Sequence, residues 1–262
     1  MILFDSHCHI DDPCFDADID AVLDRAHAAG VRAMAIAGVN TGTAEKAIRI
    51  AARRPHVITA VGIHPHDAAQ CGPDILDALI RLAQKHDCVR AWGETGLDFN
   101  RMFSPQKDQE ACFTAQMAIA GELDLPLIFH ERDSRGRFYE LVKAFGPDTR
   151  KGVVHCFSGT RTDLFKYLDL GYHIGITGIL TLRQRGRLLR ELAPLIPADR
   201  ILIETDAPYL TPAPQKNKFR RNEPAFVGSV LETLAQVRSQ DPETLADTLF
   251  NNTNRFFKTD FA

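Results

Sequence analysis

The chain has 262 residues, of which 45% are hydrophobic and 25% are charged, which is the composition of an ordinary globular protein. Its formal net charge of −3 argues against a globally basic surface that coats nucleic acid, although a local basic patch is still compatible with it. The apolar stretches are too short to span a membrane, and Asp5 and His7 follow the first apolar residues too closely for a signal peptide. We therefore expect a cytoplasmic protein that makes no membrane contact.

Short apolar runs alternate with helix-like segments along the whole chain, which is the pattern of βα units around a parallel sheet. The apolar runs are rich in Val, Ile, Leu and Ala and show little polar alternation, as is typical of strands buried on both faces. We predict strands at residues 2–6, 33–38, 57–63, 89–94, 126–130, 151–155, 172–177 and 200–205.

The segments between these strands have helical periodicity, with apolar residues that recur at spacings of three and four. Gly30 is predicted to end the first helix and Pro73 to begin the third. Eight strands with intervening helices predict an α/β protein with a (β/α)8 TIM barrel, in a single domain over residues 1–262. An open doubly wound sheet is the alternative, but no G-x-G-x-x-G fingerprint follows the first strand.

The six cysteines show no C-x-x-C spacing, and a chain of this length needs no disulfide to stabilise its core. We expect free thiols in a reducing compartment.

Ionisable residues concentrate where the predicted strands end, and the active site of such a barrel is built at those ends. Six of the ten histidines lie there, on four strands, and carboxylates follow two further strands. A single strand-end histidine is more often structural, but burying so many ionisable groups without a cation would cost several kcal/mol. In chain order the residues are Asp5, His7, His9, His64, His66, Glu94, Asp98, His130, His155, Glu204 and Asp206.

The first of these groups has the spacing of a metal site. His7 and His9 point to the same side of a strand and can share a metal ion, whereas Cys8 should pack outward against helices. Asp206 lies nearer the barrel mouth than Glu204 and is the better ligand or base. Glu204 either supports a ligand or pairs with a buried cation, and both roles are kept open.

Imidazole and carboxylate ligands suit divalent Zn, Mn or Mg, and do not choose among them. Glu94 could bridge two such ions, an arrangement common in enzymes that hydrolyse phosphate esters, and Asp206 could accept the proton of the attacking water. Serine hydrolase chemistry is disfavoured because no G-x-S-x-G elbow is present, and no phosphate-binding P-loop is found either.

Basic and aromatic residues follow strands 4 to 8 and should therefore rim one mouth of the barrel. Arginine suits bidentate phosphate contacts, and Arg221 and Arg132 are the candidates. Single-stranded bases stack on aromatic rings, and Phe103 and Phe219 are the better candidates because polar neighbours surround them. Charged runs are usually part of the solvent-exposed surface, and aromatic residues usually pack in the core. The assignment of these four residues to substrate contacts therefore depends on their places after predicted strands.

Seven motifs occur in order along the chain: Asp5-Ser6-His7-Cys8-His9, Gly62-Ile63-His64-Pro65-His66, Gly93-Glu94-Thr95-Gly96-Leu97-Asp98, His130-Glu131-Arg132, His155-Cys156-Phe157-Ser158-Gly159, Glu204-Thr205-Asp206-Ala207-Pro208-Tyr209 and Arg221-Asn222-Glu223-Pro224. With these motifs the chain resembles the TatD-related metal-dependent DNase family, within the amidohydrolase-like barrels, over essentially its whole length.

The resemblance implies a metal-dependent nuclease that hydrolyses phosphodiester bonds, in some members as a 3′–5′ exonuclease on single strands. We expect single-stranded DNA as the substrate, with RNA as a further candidate, two divalent ions and a monomeric protein. The resemblance also implies two ligand sets, His7, His9, Glu94 and Asp206 around one ion and Glu94, His130 and His155 around the other, with His64 at the scissile phosphate. From the residues themselves we predict Asp206 and Glu94 as catalytic residues, with Asp5 and Glu204 as candidate supports behind the ligands.

Two other functions are compatible with the motifs. Some relatives are credited with removing D-amino acids from tRNA, and a small-molecule amidohydrolase would need the same ions. Many such amidohydrolases bridge their metals with a carbamylated lysine, and the strand-4 residue here is Glu94, which favours the nuclease. A non-catalytic accessory or quality-control protein with a relic site is the third hypothesis, and the intact ligand motifs argue against it.

Overall fold

The computed structural model describes residues 1–146 and 151–262. Within these ranges, strands and helices alternate as predicted. The strands are β1 Leu3–Cys8, β2 Val31–Gly38, β3 Val57–Val61, β4 Val89–Asp98, β5 Leu127–Arg132, β6 Gly152–Val154, β7 His173–Ile176 and β8 Ile201–Ile203. The helices are α1 Ile19–Ala28, α2 Thr41–Ala51, α3 Pro73–Lys85, α4 Gln106–Glu122, α5 Arg137–Phe145, α6 Arg161–Asp169, α7 Arg187–Leu192, α8 Val227–Arg238 and α9 Pro242–Phe257.

The strands form one eight-stranded sheet whose spatial order is their chain order, β1 to β8. The pairs β1–β2, β3–β4, β4–β5, β5–β6 and β7–β8 are parallel. The predicted (β/α)8 barrel class is confirmed. The helix signals are also confirmed, because α3 begins at Pro73 and the left-handed Gly30 follows the end of α1. None of the helices in residues 1–146 and 151–262 is long and apolar enough to cross a membrane.

Contacts within the chain distinguish two compact units. The first unit contains residues 1–36, 156–164 and 174–262, and the second contains residues 37–155 and 165–173. In the first unit, α8 and α9 pack on β1 and β8. The ring of Phe4 lies 5.8–6.0 Å from those of Phe250, Phe257 and Phe261, and this aromatic cluster anchors β1.

In the second unit, α4 packs on β4 and α2 packs on β3. Phe138 is the centre of the aromatic core, with ring centroids 5.3 Å from Phe113 and 5.2 Å from Phe129. The buried Trp92 of β4 donates its indole N–H to Gln116 of α4 at 3.0 Å. Rigid packing beneath the strand ends is what holds the polar residues at those ends in place.

Of the strands that carry polar ends, β1, β4 and β5 extend further than predicted, whereas β3, β6 and β8 are shorter than predicted. We expected the fourth strand to end at Glu94, but β4 continues to Asp98, and β5 continues past His130 to Arg132. Their ladder persists through the pairs Gly96–His130 and Asp98–Arg132. Glycines and charged residues are uncommon inside strands, and pairing with the neighbouring strand overrides that local preference.

The backbones of β4 and β5 approach each other most closely at Gly96. Its φ of +148° suits glycine, and a Cβ at this position would lie 2.0 Å from the carbonyl oxygen of His130. We expect Gly96→Ala to lower the free energy of unfolding by about 3 kcal/mol or more, because β4 and β5 must separate to accept the methyl group. Urea denaturation measures this change.

Gly121 supplies the matched control, since it lies near the end of α4 and a Cβ there would meet no atom within 4 Å. Gly121→Ala is expected to raise the free energy of unfolding by up to about 1 kcal/mol. Equal effects of the two substitutions would contradict the packing described for β4 and β5.

Candidate metal centre

In the first unit, three side chains converge at the ends of β1 and β8, and we name them the His7 group: His7, His9 and Asp206. His7 Nε2 lies 3.1 Å from His9 Nε2, and Asp206 Oδ1 lies 3.8 Å and 3.4 Å from these two nitrogens. The backbone fixes this convergence, because Asp206 N–H donates to His7 O at 2.9 Å and His9 N–H donates to Ala207 O at 2.7 Å. The predicted proximity of His7 and His9 is thus observed.

Asp5 and Glu204 lie two residues before His7 and Asp206, respectively, and are completely buried. Asp5 accepts hydrogen bonds from the backbone N–H and the hydroxyl of Thr205, at 2.8 and 2.5 Å, and burial raises its pKa to about 8. Glu204 Oε1 accepts the backbone N–H of Cys156 at 2.5 Å. Both carboxyl groups therefore tie the segment after β8 to its neighbours in the first unit.

In the second unit, four side chains converge at the ends of β3 to β6, and we name them the Glu94 group: His64, Glu94, His130 and His155. Glu94 Oε1 lies 2.5 Å from His130 Nδ1, 3.0 Å from His155 Nε2 and 3.5 Å from His64 Nε2. His64 Nε2 and His130 Nδ1 are 3.2 Å apart. One carboxylate oxygen is therefore surrounded by three imidazole nitrogens in a site where Glu94 is only 2% exposed.

Burial and neighbouring charge act in opposite directions on these groups. Burial alone would raise the pKa of Glu94, but the charge of His155 and hydrogen bonds from His130 and His155 hold it well below its ordinary value. Burial, together with the charge of His130, lowers the pKa of His64 to about 4. Glu94 is thus an anion at neutral pH and His64 is a neutral imidazole, which are the forms in which each binds a metal ion.

The donor set fits a divalent cation. Ligands that lie about 2.0–2.2 Å from one ion stand roughly 3–3.5 Å from each other. The distances from Glu94 Oε1 to His155 and His64, and the distance between the His64 and His130 nitrogens, have this size. His64, Glu94 and His130 together form a group that could hold an ion. Nitrogen and carboxylate ligands without thiolate suit Zn, Mn or Mg.

Asp98 and His66 support the Glu94 group, and the sequence placed both at strand ends without giving them a role. Asp98 Oδ2 lies 2.8 Å from His66 Nε2 and 3.5 Å from His130 Nε2, so it can hold the ring nitrogen of His130 that does not face Glu94. The buried Gln109 of α4 accepts the backbone N–H of Asp98 at 2.8 Å. No motif signalled Gln109, because its position in α4 shows only helical periodicity.

Arg221, the expected phosphate contact, is already engaged in the first unit. Its guanidinium donates to Asp18 at 2.7 and 2.8 Å, to Glu223 at 2.9 Å and to the carbonyl of Cys14 at 2.7 Å. It also lies 4.4 Å from the ring centroid of Phe15. These contacts fix the loop that follows β8.

Arg221→Ala is expected to lower the free energy of unfolding by about 2 kcal/mol at neutral pH, because several charge-assisted hydrogen bonds and a cation–π contact are lost. Hydrogen bonding to Arg221 lowers the pKa of Asp18 to about 2. A carboxyl group with a lowered pKa stabilises the fold above its ordinary pKa of 3.8, and the contribution disappears as the pH falls toward about 2.

Unfolding curves at a series of pH values therefore test both parts of this prediction. The difference between Arg221→Ala and the wild type should shrink on acidification. The exposed Arg220 is the control, and Arg220→Ala should change stability little at any pH. A pH-independent difference for Arg221→Ala would contradict the role of Asp18.

The remaining candidate substrate contacts lie on exposed or half-buried surface. Phe103 is 66% exposed, and its ring packs edge-on against His66 with centroids 4.6 Å apart. Phe219 is 50% exposed and lies 5.3 Å from the ring of Phe226. Arg132 is the last residue of β5 and is half-buried. Both aromatic rings therefore have a free face for stacking.

Known proteins resemble this chain over nearly its full length. The exonuclease named 3′-5′ ssDNA/RNA exonuclease TatD from Salmonella typhimurium is 42% identical over 261 residues, with 99% of this chain and 100% of the relative covered. The protein of the same name from a Rahnella strain is 45% identical and covers 93% of each chain. Among solved structures, YJJV, a TatD homolog from Escherichia coli K12, has a TM-score of 0.90 at 29% identity and covers 98% of each chain.

A hydrolase TatD family protein from Entamoeba histolytica is similar in structure as well, with a TM-score of 0.88 at 27% identity over 98% of each chain. The family described as TatD related DNase matches residues 4–258, which include the His7 group and the Glu94 group. The chain belongs to the TatD related DNase family.

Proposed function

We propose that this protein is a metal-dependent nuclease that removes nucleotides from the 3′ end of single-stranded DNA and RNA. The observation that carries the proposal is the Glu94 group, in which a buried carboxylate oxygen lies within 3.5 Å of three imidazole nitrogens. Relatives that are about 40% identical are named as 3′-5′ exonucleases of single-stranded DNA and RNA, which supports this substrate and polarity.

We assign two divalent ions to the two groups. The His7 group and Glu94 would hold one ion, and Glu94, His130 and His155 would hold the other. When bound, divalent ions polarise a phosphoryl oxygen and lower the pKa of coordinated water, so that water can attack a phosphodiester at neutral pH.

The protein's own residues then bind, orient and transfer a proton. A carboxylate oxygen of Asp206 accepts the proton of the attacking water, since Asp206 is the carboxylate of the His7 group and 13% of its side chain is exposed. His64, a neutral imidazole, positions the scissile phosphate. Asp98 holds His130, while Asp5 and Glu204 hold the segment that carries Asp206.

Bases of the single strand would stack on exposed aromatic rings. Phe103 and Phe219 offer faces on which bases stack without regard to sequence, each worth about 1–3 kcal/mol per base. Arg132 is a candidate phosphate contact. Arg221 belongs to the same loop as Phe219 and would contact a phosphate while it keeps its bonds to Asp18.

Digestion of end-labelled oligonucleotides tests the proposal. With a 5′ label, the protein should give a ladder of progressively shorter products, and phosphorothioate linkages at the 3′ end should block it, whereas the same linkages at the 5′ end should not. EDTA should abolish digestion, and Mg²⁺ or Mn²⁺ should restore it. Release of nucleotides from the 5′ end, or digestion that persists after chelation, would contradict the proposal.

A further inference from the structure

Two segments of the first unit are strongly basic in a chain whose formal net charge is −3. Residues 178–190 follow β7, and residues 210–222 belong to the loop that follows β8. Together the two segments contain eight arginine and lysine residues and no aspartate or glutamate. Positive charge is therefore concentrated in the part of the first unit whose β8 loop also carries Asp206.

The two basic segments are in direct contact. The hydroxyl of Thr181 accepts the backbone N–H of Ala213 at 2.9 Å. At Gly178 the two backbones approach so closely that a Cβ would lie 2.3 Å from the carbonyl oxygen of Leu210. The charges that follow Thr181 and Ala213 therefore add at one place on the surface, and an anion bound there lowers their mutual repulsion.

Internal hydrogen bonds hold both segments in shape. Arg190 donates to the carbonyl of Leu180 at 2.8 Å. In the second segment, the carbonyl of Gln215 accepts the backbone N–H of Phe219 at 2.9 Å, and the side-chain amide of Gln215 donates to Ser229 of α8 at 2.8 Å. Little conformational entropy is then lost when these segments bind a ligand.

Five basic side chains of these segments are exposed and have no ion-pair partner within residues 1–146 and 151–262. The other three are engaged within the protein, Arg190 and Arg221 in the hydrogen bonds already described and Arg187 with Glu191 at 3.6 Å. We name the five exposed residues the basic surface: Arg183, Arg185, Lys216, Lys218 and Arg220. These five cations are thus available to an external anion.

An aromatic ring interrupts the basic surface and indicates which anion it fits. Phe219 stands between Lys218 and Arg220 in the chain and is 50% exposed. Cations that follow a phosphate backbone, interleaved with rings on which bases stack, are typical of proteins that bind single-stranded nucleic acid without reading its sequence. An acidic peptide would use the cations alone.

We propose that the basic surface binds phosphates of the single strand on the 5′ side of the linkage that is cleaved. This inference rests on the proposed nuclease function and adds a contact area outside the His7 group and the Glu94 group. Asp206 and three of the five cations belong to the same loop, so a strand whose 3′ end lies at Asp206 continues onto the basic surface. Nucleotides remote from the reacting phosphate then contribute to affinity.

The salt dependence of binding tests this proposal. Binding of a fluorescent single strand of about twelve nucleotides is measured by anisotropy in EDTA at a series of salt concentrations, where the logarithm of the affinity falls by about 0.7 per phosphate neutralised for each tenfold rise in salt. The triple substitution Lys216→Gln, Lys218→Gln and Arg220→Gln should reduce this slope by about 2 and weaken binding at low salt by about tenfold. The double substitution Arg183→Gln and Arg185→Gln should reduce the slope by about 1.4.

A triple variant with the same change in net charge is the matched control. Arg49→Gln, Arg81→Gln and Lys85→Gln replace exposed residues of α2 and α3 and should leave the slope and the affinity unchanged. Equal slopes for the wild type and the basic-surface variants would overturn the proposal. Equal losses in the control variant would also overturn it, because they would show an effect of net charge alone.

Digestion separates this proposal from the proposed function. A dinucleotide offers a single phosphate, so the advantage of a long strand over a dinucleotide in kcat/KM should fall about tenfold in the basic-surface triple variant. A loss of the same size for both substrates would contradict a role on the 5′ side of the cleaved linkage. If the wild type digests no nucleic acid, the proposed function fails, and the salt slopes still decide on the basic surface.

Discussion

Replacing Glu94 with glutamine is expected to lower the rate of DNA digestion by on the order of a thousandfold, the effect of losing several kcal/mol of charge stabilisation. Glutamine has the size of glutamate, so the packing of β4 is preserved. The charge is lost at the oxygen that lies between His130, His155 and His64. Both proposed ions lose a shared anionic ligand, and metal content should fall together with activity.

Elemental analysis and a digestion assay on the same Glu94→Gln preparation measure the two effects. Glu122→Gln is the matched control, since Glu122 is an exposed residue at the end of α4 and should change neither quantity. If Glu94→Gln kept its metal and digested DNA at the wild-type rate, Glu94 would not be a ligand of the working site.

Asp206→Asn is expected to reduce the maximal rate by about a hundredfold or more, a size within the usual range for the loss of a general base. Asp206 has a left-handed backbone with a φ of +56°, a conformation that asparagine adopts more readily than most residues. The substitution therefore removes the charge and the proton acceptor without straining the segment after β8.

The expected signature of Asp206→Asn is a fall in the maximal rate that exceeds any change in affinity for the oligonucleotide. Asp169→Asn, at the exposed end of α6, is the control for the chemical change alone. A variant that lost oligonucleotide affinity but kept the maximal rate would place Asp206 in substrate binding and not in proton transfer.

The sequence predicted the barrel and the groups of polar residues because both follow from simple periodic patterns. Buried strands are continuous apolar runs, and their carboxyl ends carry the polar residues of the site. The period of two placed His7 and His9 on the same side of the predicted first strand. Their nitrogens do lie 3.1 Å apart, although β1 ends at Cys8 and His9 follows it.

Other features of the site depend on tertiary contacts that have no local signal. The end of β4 at Asp98 depends on its pairing with β5, which overrides the glycines of the segment. The engagement of Arg221 with Asp18 joins residues 203 positions apart. The amide of Gln116 holds the backbone of Ile63, and its position in α4 shows only helical spacing. Such contacts are set by the packing of whole elements.

Calorimetric titration of metal-stripped protein with Mn²⁺ tests the central claim most directly. Digestion of single-stranded DNA is measured at each point of the titration. The account predicts that the wild type binds two ions per chain and that digestion of single-stranded DNA appears only as these sites fill. Digestion at full rate before any ion is bound, or a chain that binds no Mn²⁺ at all, would contradict the account.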